Sequence, residues 1–228
     1  MEILRTIEVK TERIRDTIRY EDTPILQYQL EYPVISSPQN LKTAEKINEF
    51  YRRKVKKLME MIEKTLQKEA IRDYQTSIKN KLPIHRYEVN LSYTITYNRS
   101  CTLSLYMQEY CYSGGAHGAT QQSSQTWSID TGRQLAIREL LANGRGDIAK
   151  LLEEVTRQIT QDEDRQTKYF ADNEKQVRKQ FEPKQFYITK DGIVIYYQQY
   201  DIAPYATGIP TFLIPREVLA GKVPACKG

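Results

Sequence analysis

Ser113 and His117 lie together in Tyr112-Ser113-Gly114-Gly115-Ala116-His117-Gly118, and Asp201 follows far downstream. A hydroxyl, an imidazole and a carboxylate are the residue types of a nucleophile, its base and the acid that orients the base. Hydrolysis by such a set commonly places the serine on a strained elbow, and the Gly-x-Ser-x-Gly sequence of that elbow is missing. A metal hydrolase needs clustered ligands, yet His85 is the only other histidine. The cysteines match no zinc pattern, so neither a metal nor a cofactor is expected. The same stretch serves a different purpose. Glycine enters backbone regions closed to other residues, so three glycines around a serine and a histidine make a sharp bend. A bend at a strand end presents tyrosine and small polar groups to a partner. A purely structural connection would have the same composition.

A second stretch has the same character. Tyr200-Asp201-Ile202-Ala203-Pro204-Tyr205-Ala206-Thr207-Gly208 is a loop before the last strand. Tyrosine offers contact area at low entropic cost. The expected binding surface therefore joins Tyr112, Ser113, Gly114, Gly115 and His117 of the bend to Asp201, Pro204 and Tyr205 of the loop, the two lying side by side. In this reading His117 steadies the bend through its ring nitrogens. The alternative is a hydrolase using Ser113, His117 and Asp201.

The elements that position these residues are legible from periodicity. Residues 1–20 read as extended. Leu26, Tyr28, Leu30 and Tyr32 alternate with polar neighbours as a half-buried strand that Pro33 and Ser36-Ser37-Pro38 end. Ser37 and Pro38 suit the start of a helix. From there to about Lys79, Leu41, Ala44, Ile47, Tyr51, Val55, Leu58, Ile62, Leu66 and Ala70 form one apolar stripe. The basic run Arg52-Arg53-Lys54, Lys56-Lys57 fits an anionic partner, or a solvated face balanced by Glu60, Glu63 and Glu69.

Tyr87 to Asn98 and Cys101 to Gln108 alternate as an antiparallel hairpin, turned at Arg99-Ser100. Its outward Tyr106, Tyr110 and Tyr112 make an aromatic platform or an ordinary cross-strand cluster. Residues 119–129 read as a third strand, and Asp130-Thr131-Gly132-Arg133 as a turn. A short helix near Ile137–Leu141 precedes an amphipathic one with Asp147 as its cap. Arg145-Gly146-Asp147 spells an adhesion tripeptide at a place where a helix needs a turn and a cap. Residues 161–180 are charged and partly helical, with Tyr169, Phe170, Val177 and Phe181 inward. An Asp191-Gly192 hairpin, an edge strand from Ile209 to Ile214 and a helical turn after Pro215 close the chain.

The fold class is α+β: an antiparallel sheet packed by one long helix, with a second helical and hairpin portion. The 228 residues supply a sizeable core, and 39% hydrophobic against 28% charged residues argues against disorder. A net charge of +5 is mild and gives no reason to expect nucleic acid. No stretch has the length of a membrane span, and the first residues lack the apolar centre of a signal peptide. The chain as written is expected to be cytoplasmic, or extracytoplasmic if an anchor precedes it. Of Cys101, Cys111 and Cys226, the first two share one strand. Ten extended residues span about 33 Å, beyond disulfide reach. The cysteines read as packing residues, and whether Cys101 or Cys111 pairs with Cys226 stays open.

The bend at 112–118, the Asp130–Arg133 turn with Ile137-Arg138-Glu139-Leu140-Leu141, the strand Phe186-Tyr187-Ile188-Thr189 and the loop 200–208 occur in an order that resembles one family. It comprises the extracytoplasmic domains of RsiV-type anti-sigma factors and the domain that accompanies PdaC-type peptidoglycan deacetylases. The resemblance covers most of the chain. It implies two portions, residues 1–132 like the PdaC-associated region and 133–228 like the RsiV C-terminal region. It also implies a non-catalytic binding or sensing role, toward lysozyme or another cell-wall-related protein or glycan. No sigma-binding segment and no deacetylase domain is read in these residues, so neither signalling nor deacetylation is expected to carry over.

Overall fold

The computed structural model describes residues 6–37, 40–141 and 145–219. Along the chain run β1 (Glu8–Tyr20), β2 (Thr23–Ser36), α1 (Leu41–Met61), a π-helical turn (Ile62–Leu66), α2 (Gln67–Asn80), β3 (Tyr87–Arg99), β4 (Thr102–Tyr112), β5 (Ala119–Ser128) and β6 (Arg133–Gln134). A 3₁₀ turn (Ile137–Leu140), α3 (Arg145–Gln161), α4 (Arg165–Lys168), α5 (Asn173–Lys179), β7 (Phe186–Ile188), β8 (Gly192–Tyr196), a second 3₁₀ turn (Tyr205–Thr207), β9 (Thr211–Pro215) and α6 (Arg216–Leu219) complete it. Strands β1 to β6 form one sheet in chain order, and β7-β8-β9 a second. The fold is α+β, as expected. Two compact units divide the chain. A helix unit holds Glu8–Tyr93 and Met107–Gln121; a C-terminal unit holds Thr94–Tyr106 and Gln122 onward, with Ile7.

In the helix unit, β1 and β2 are a hairpin turned at Glu21 and Asp22, whose φ of +45° and +62° mark the two left-handed positions of a type I′ turn. The long helix then carries the chain back, so β3 meets β2 in parallel, Leu26 opposite Tyr87 and Leu30 opposite Leu91. The expected sheet was antiparallel; this one pair is not, because a long crossover is what lets two successive strands run the same way. Pro33 lies within β2, not at its end. The β3 pairing stops at Leu30, so β2 is bonded on one side only at Pro33, which is where a strand tolerates proline.

Of the expected apolar stripe, Ala44, Ile47, Tyr51, Val55, Leu58, Ile62, Leu66 and Ala70 are buried, but Leu41, the first residue of the helix, is exposed. From Leu58 onward the stripe steps by fours, one residue more per two turns than a regular helix keeps in line. The π turn takes up that residue, the Gln67 N–H reaching the Ile62 carbonyl. The N-cap is Asn40, whose side chain accepts from Thr43 N–H at 3.1 Å. Ser37 precedes it, and Pro38 lies outside the described residues. Inside the helix, buried Asn48 accepts from Ile35 N–H at 2.7 Å and donates to Ile35 carbonyl at 2.9 Å. One side-chain amide thus replaces a strand partner where β3 has ended.

The C-terminal unit is built around Leu151, Val155, Ile159, Val177, Ile188, Ile195, Tyr197, Ile202 and Ile214, with Tyr169 and Phe181 packed against them. The turn between β3 and β4 is Ser100-Cys101, at φ +48° and +57°. The expected alternation fails on either side of it. Ile95 is exposed, while Thr102 and Ser104 are as buried as Leu103 and Leu105. Ser104 Oγ accepts from Ile188 N–H at 2.9 Å and lies 2.9 Å from Thr126 Oγ1, so β4 is covered on both faces here. Asn98 grips both backbone groups of Ile7, at 3.0 and 2.8 Å, as Asn48 grips Ile35.

Helix α3 starts at Arg145, so the Arg-Gly-Asp tripeptide is helical backbone and Asp147 lies inside the helix, not at its cap. Cys101 is disulfide-bonded, which corrects its reading as a packing residue. Cys111 is free and half-buried, and burial pushes its thiol up from its ordinary value. Cys226 lies outside the described residues.

Candidate functional site

The bend belongs to the helix unit. Gly114 and Gly115 take φ of +95° and +86°, with open space where a Cβ would stand. Ser113 and His117 are exposed. Tyr112 Oη donates to Gly115 carbonyl at 3.1 Å. That uses its single proton, so the 3.2 Å contact with His85 Nδ1 runs the other way, the imidazole N–H donating. His117 Nδ1 stands 3.0 Å from Gly118 carbonyl, which can only accept, so that nitrogen carries the proton. A Cβ on Gly118 would stand 2.5 Å from the Tyr110 ring, which therefore requires a glycine beneath it.

His85 thus reaches across to the bend through Tyr112, while His117 Nδ1 bonds the carbonyl of its neighbour Gly118. Being one of two histidines was the only sequence signal that singled out His85. The tyrosines expected as a platform find separate partners: Tyr106 packs on Tyr187 with ring centres 5.1 Å apart, Tyr110 covers Gly118, and Tyr112 meets the His85 ring edge-on at 6.4 Å. Because only the backbone angle resists a side chain at Gly115, replacement by valine is expected to destabilise by about 1–3 kcal/mol. Urea unfolding measures this; an unchanged midpoint would show that the bend relaxes freely.

The loop belongs to the C-terminal unit and is fastened at both ends. Gln198 accepts from Gln122 N–H at 2.9 Å and donates to Gln122 carbonyl at 2.8 Å. Asp201 Oδ2 accepts from Gln198 N–H at 2.8 Å, and Asp201 N–H returns to Gln198 carbonyl at 3.1 Å. Burial raises the Asp201 carboxyl, and the Gln198 N–H acts against that rise. Ile202 and Ala203 are buried, with Phe170 N–H on the Ile202 carbonyl at 3.1 Å. Thr207 Oγ1 donates to Lys168 carbonyl at 2.7 Å, and Gly208 turns the chain at φ +74°. A hollow of about 590 Å³ lined by Arg165, Tyr169, Phe170 and Lys175, among others, adjoins this loop through Phe170.

Between these fastenings Tyr200 sits at φ +68° and is 56% exposed, its ring 6.1 Å from that of half-buried Tyr205. Pro204 is half-buried beside them. Sequence reasoning named Tyr205, Pro204 and Asp201 as candidates but passed over Tyr200, since nothing in residue type reveals a left-handed tyrosine. Gln198 and Gln122 were missed because an amide clasp has no periodicity.

Residues 20–120 match the family described as Deacetylase PdaC, and residues 138–217 the family described as Protein of unknown function (DUF3298). The chain belongs to the PdaC- and RsiV-type domain family. A DUF3298-family protein of Bacteroides fragilis is 20% identical, with a TM-score of 0.72 over 94% of this chain and 92% of its own. One from Pseudomonas aeruginosa is 18% identical, with a TM-score of 0.55 over 94% of each chain. At these identities the likeness is one of fold. No curated protein matches the chain. The bend falls in the PdaC-like match and the loop in the DUF3298-like match. Among the described residues of this PdaC- and RsiV-type chain, no helix is long and apolar enough to cross a membrane, and no cluster of three His, Cys, Asp or Glu is placed to hold a metal.

Proposed function

We propose that this chain is a non-catalytic binding or sensing module whose contact residues are Asp201, Pro204 and Tyr205, joined by Tyr200, with Tyr112, Ser113, Gly114, Gly115 and His117 of the bend as a further contact surface. The observation that carries it is Tyr200. A tyrosine at φ +68° is strained, and a residue left 56% exposed regains little in the folded state. Strain and exposure together fit a residue kept for a partner, and paired tyrosines are common interface anchors. His117 Nδ1 and Asp201 Oδ2 each serve a local backbone group, which supports the binding reading over the hydrolytic one.

The partner we infer is a protein of the lysozyme type or a cell-wall glycan, on the strength of family likeness. The disulfide at Cys101 fits an oxidising, extracytoplasmic setting. Division near residue 132 into PdaC-like and DUF3298-like portions fits matches at 20–120 and 138–217.

Calorimetric titration with lysozyme and, separately, with soluble peptidoglycan fragments tests the proposal. Tyr205→Ala is expected to weaken binding by about 1–3 kcal/mol at an unchanged unfolding midpoint. Heat from neither ligand, or equal affinity in the variant, would remove the loop from the contact surface.

A further inference from the structure

The segment from Ile78 to Arg86 carries another surface, and the packing of the helix unit makes little use of it. α2 ends at Asn80 and is capped by Lys81, which is left-handed at φ +54°. Leu82 N–H bonds to Ser77 carbonyl at 2.9 Å and Lys81 N–H to Ile78 carbonyl at 3.3 Å. In this Schellman closure the residue after the left-handed one usually packs on an apolar side chain one turn back. Here the positions one turn back are Ser77 and Thr76, so Leu82 has no apolar partner within the motif. Leu82 and Ile78 are each 56% exposed and Ile84 41%. Every residue from Ile78 to Arg86 faces solvent.

Along this segment the charge has one sign. Lys79, Lys81 and Arg86 lie in it, and no Asp or Glu occurs between Asp73 and Glu88. None of the three cations has an ion-pair partner among the described residues. The left-handed Lys81 and the ring of Pro83 restrict the segment already, so little ordering is needed on contact.

We propose that this end of the helix unit docks on an anionic lipid surface. Ile78, Leu82 and Ile84 enter the boundary between headgroups and acyl chains, while Lys79, Lys81 and Arg86 meet lipid phosphates. Aliphatic tips interleaved with cations are the make-up of interfacial segments, and the cations gain from the negative potential of the bilayer. A protein partner fits less well, because protein interfaces favour aromatic anchors and are depleted in lysine.

Co-sedimentation of the whole chain with vesicles of phosphatidylglycerol and phosphatidylcholine, against phosphatidylcholine alone, tests this. Binding is expected to the anionic vesicles and to fall at high salt. The combined change Lys79→Gln, Lys81→Gln, Arg86→Gln is expected to weaken it about 100-fold. Leu82→Ser with Ile84→Ser is expected to weaken it at least about tenfold. All five positions are exposed, and circular dichroism of each variant checks that the fold is kept. No sedimentation with anionic vesicles overturns the proposal. So does binding that survives the Leu82→Ser, Ile84→Ser change, which is plain charge adsorption, or capture of an acidic protein through these residues without vesicle binding.

Discussion

Gly192→Ala is expected to destabilise the C-terminal unit by about 3 kcal/mol or more, the range of severe overpacking. A Cβ there would stand 2.1 Å from the carbonyl oxygen of Ile214 and 3.0 Å from its carbon. Those are backbone atoms of β9, and Gly192 faces Pro215 in the β8–β9 ladder. Strand β8 lies between β7 and β9, so neither neighbour can retreat without breaking the sheet. The clash has nothing to do with turning the chain. Thr189 N–H bonds the Gly192 carbonyl at 2.9 Å, which leaves Lys190 and Asp191 as the loop and Gly192 as the first strand residue. Urea unfolding of the variant, with Asp191→Ala as a control expected within about 0.5 kcal/mol, separates close approach from turn chemistry. A loss below about 1 kcal/mol at Gly192 would show that β9 moves aside.

Asn48→Ala is expected to lower the stability of the helix unit by about 3 kcal/mol. It leaves the buried N–H and carbonyl of Ile35 without their bonds, each such loss costing about 1–3 kcal/mol. Asn48→Asp keeps the acceptor but points oxygen at the Ile35 carbonyl, and is expected to be worse. Hydrogen exchange at the Ile35 amide reports the effect directly. Unchanged protection in the alanine variant would show that water or another strand residue replaces the amide.

Much of the fold was legible, because alternation and three-to-four spacing report burial directly. The long helix, the hairpin before the bend and the closing hairpin all follow from that pattern. What escaped depends on partners remote in sequence. Ser104 and Thr102 read as outward residues until strands from the C-terminal portion cover them. The parallel β2–β3 pair follows from where the helix returns the chain, which no local pattern records. Gly192 was recognisable as a necessary glycine, but its reason lies in Ile214. Residue type singled out Tyr205 and the glycines of the bend as candidates, and two of those glycines do take positive φ. The left-handed Tyr200 is invisible because it lies inside a turn that Gln198 and Asp201 close on either side of it.

Three amides, Asn48, Asn98 and Gln198, each join two distant backbone groups of their own unit. None of them titrates, and none carries a charge for ions to screen. Several of the ion pairs differ in kind: Lys10 with Glu8, Arg53 with Glu49 and Lys64 with Glu60 are exposed and local. Pairs of that sort contribute little and weaken in salt. The long-range closures therefore keep their strength through swings of acidity and ionic strength that loosen the surface charges.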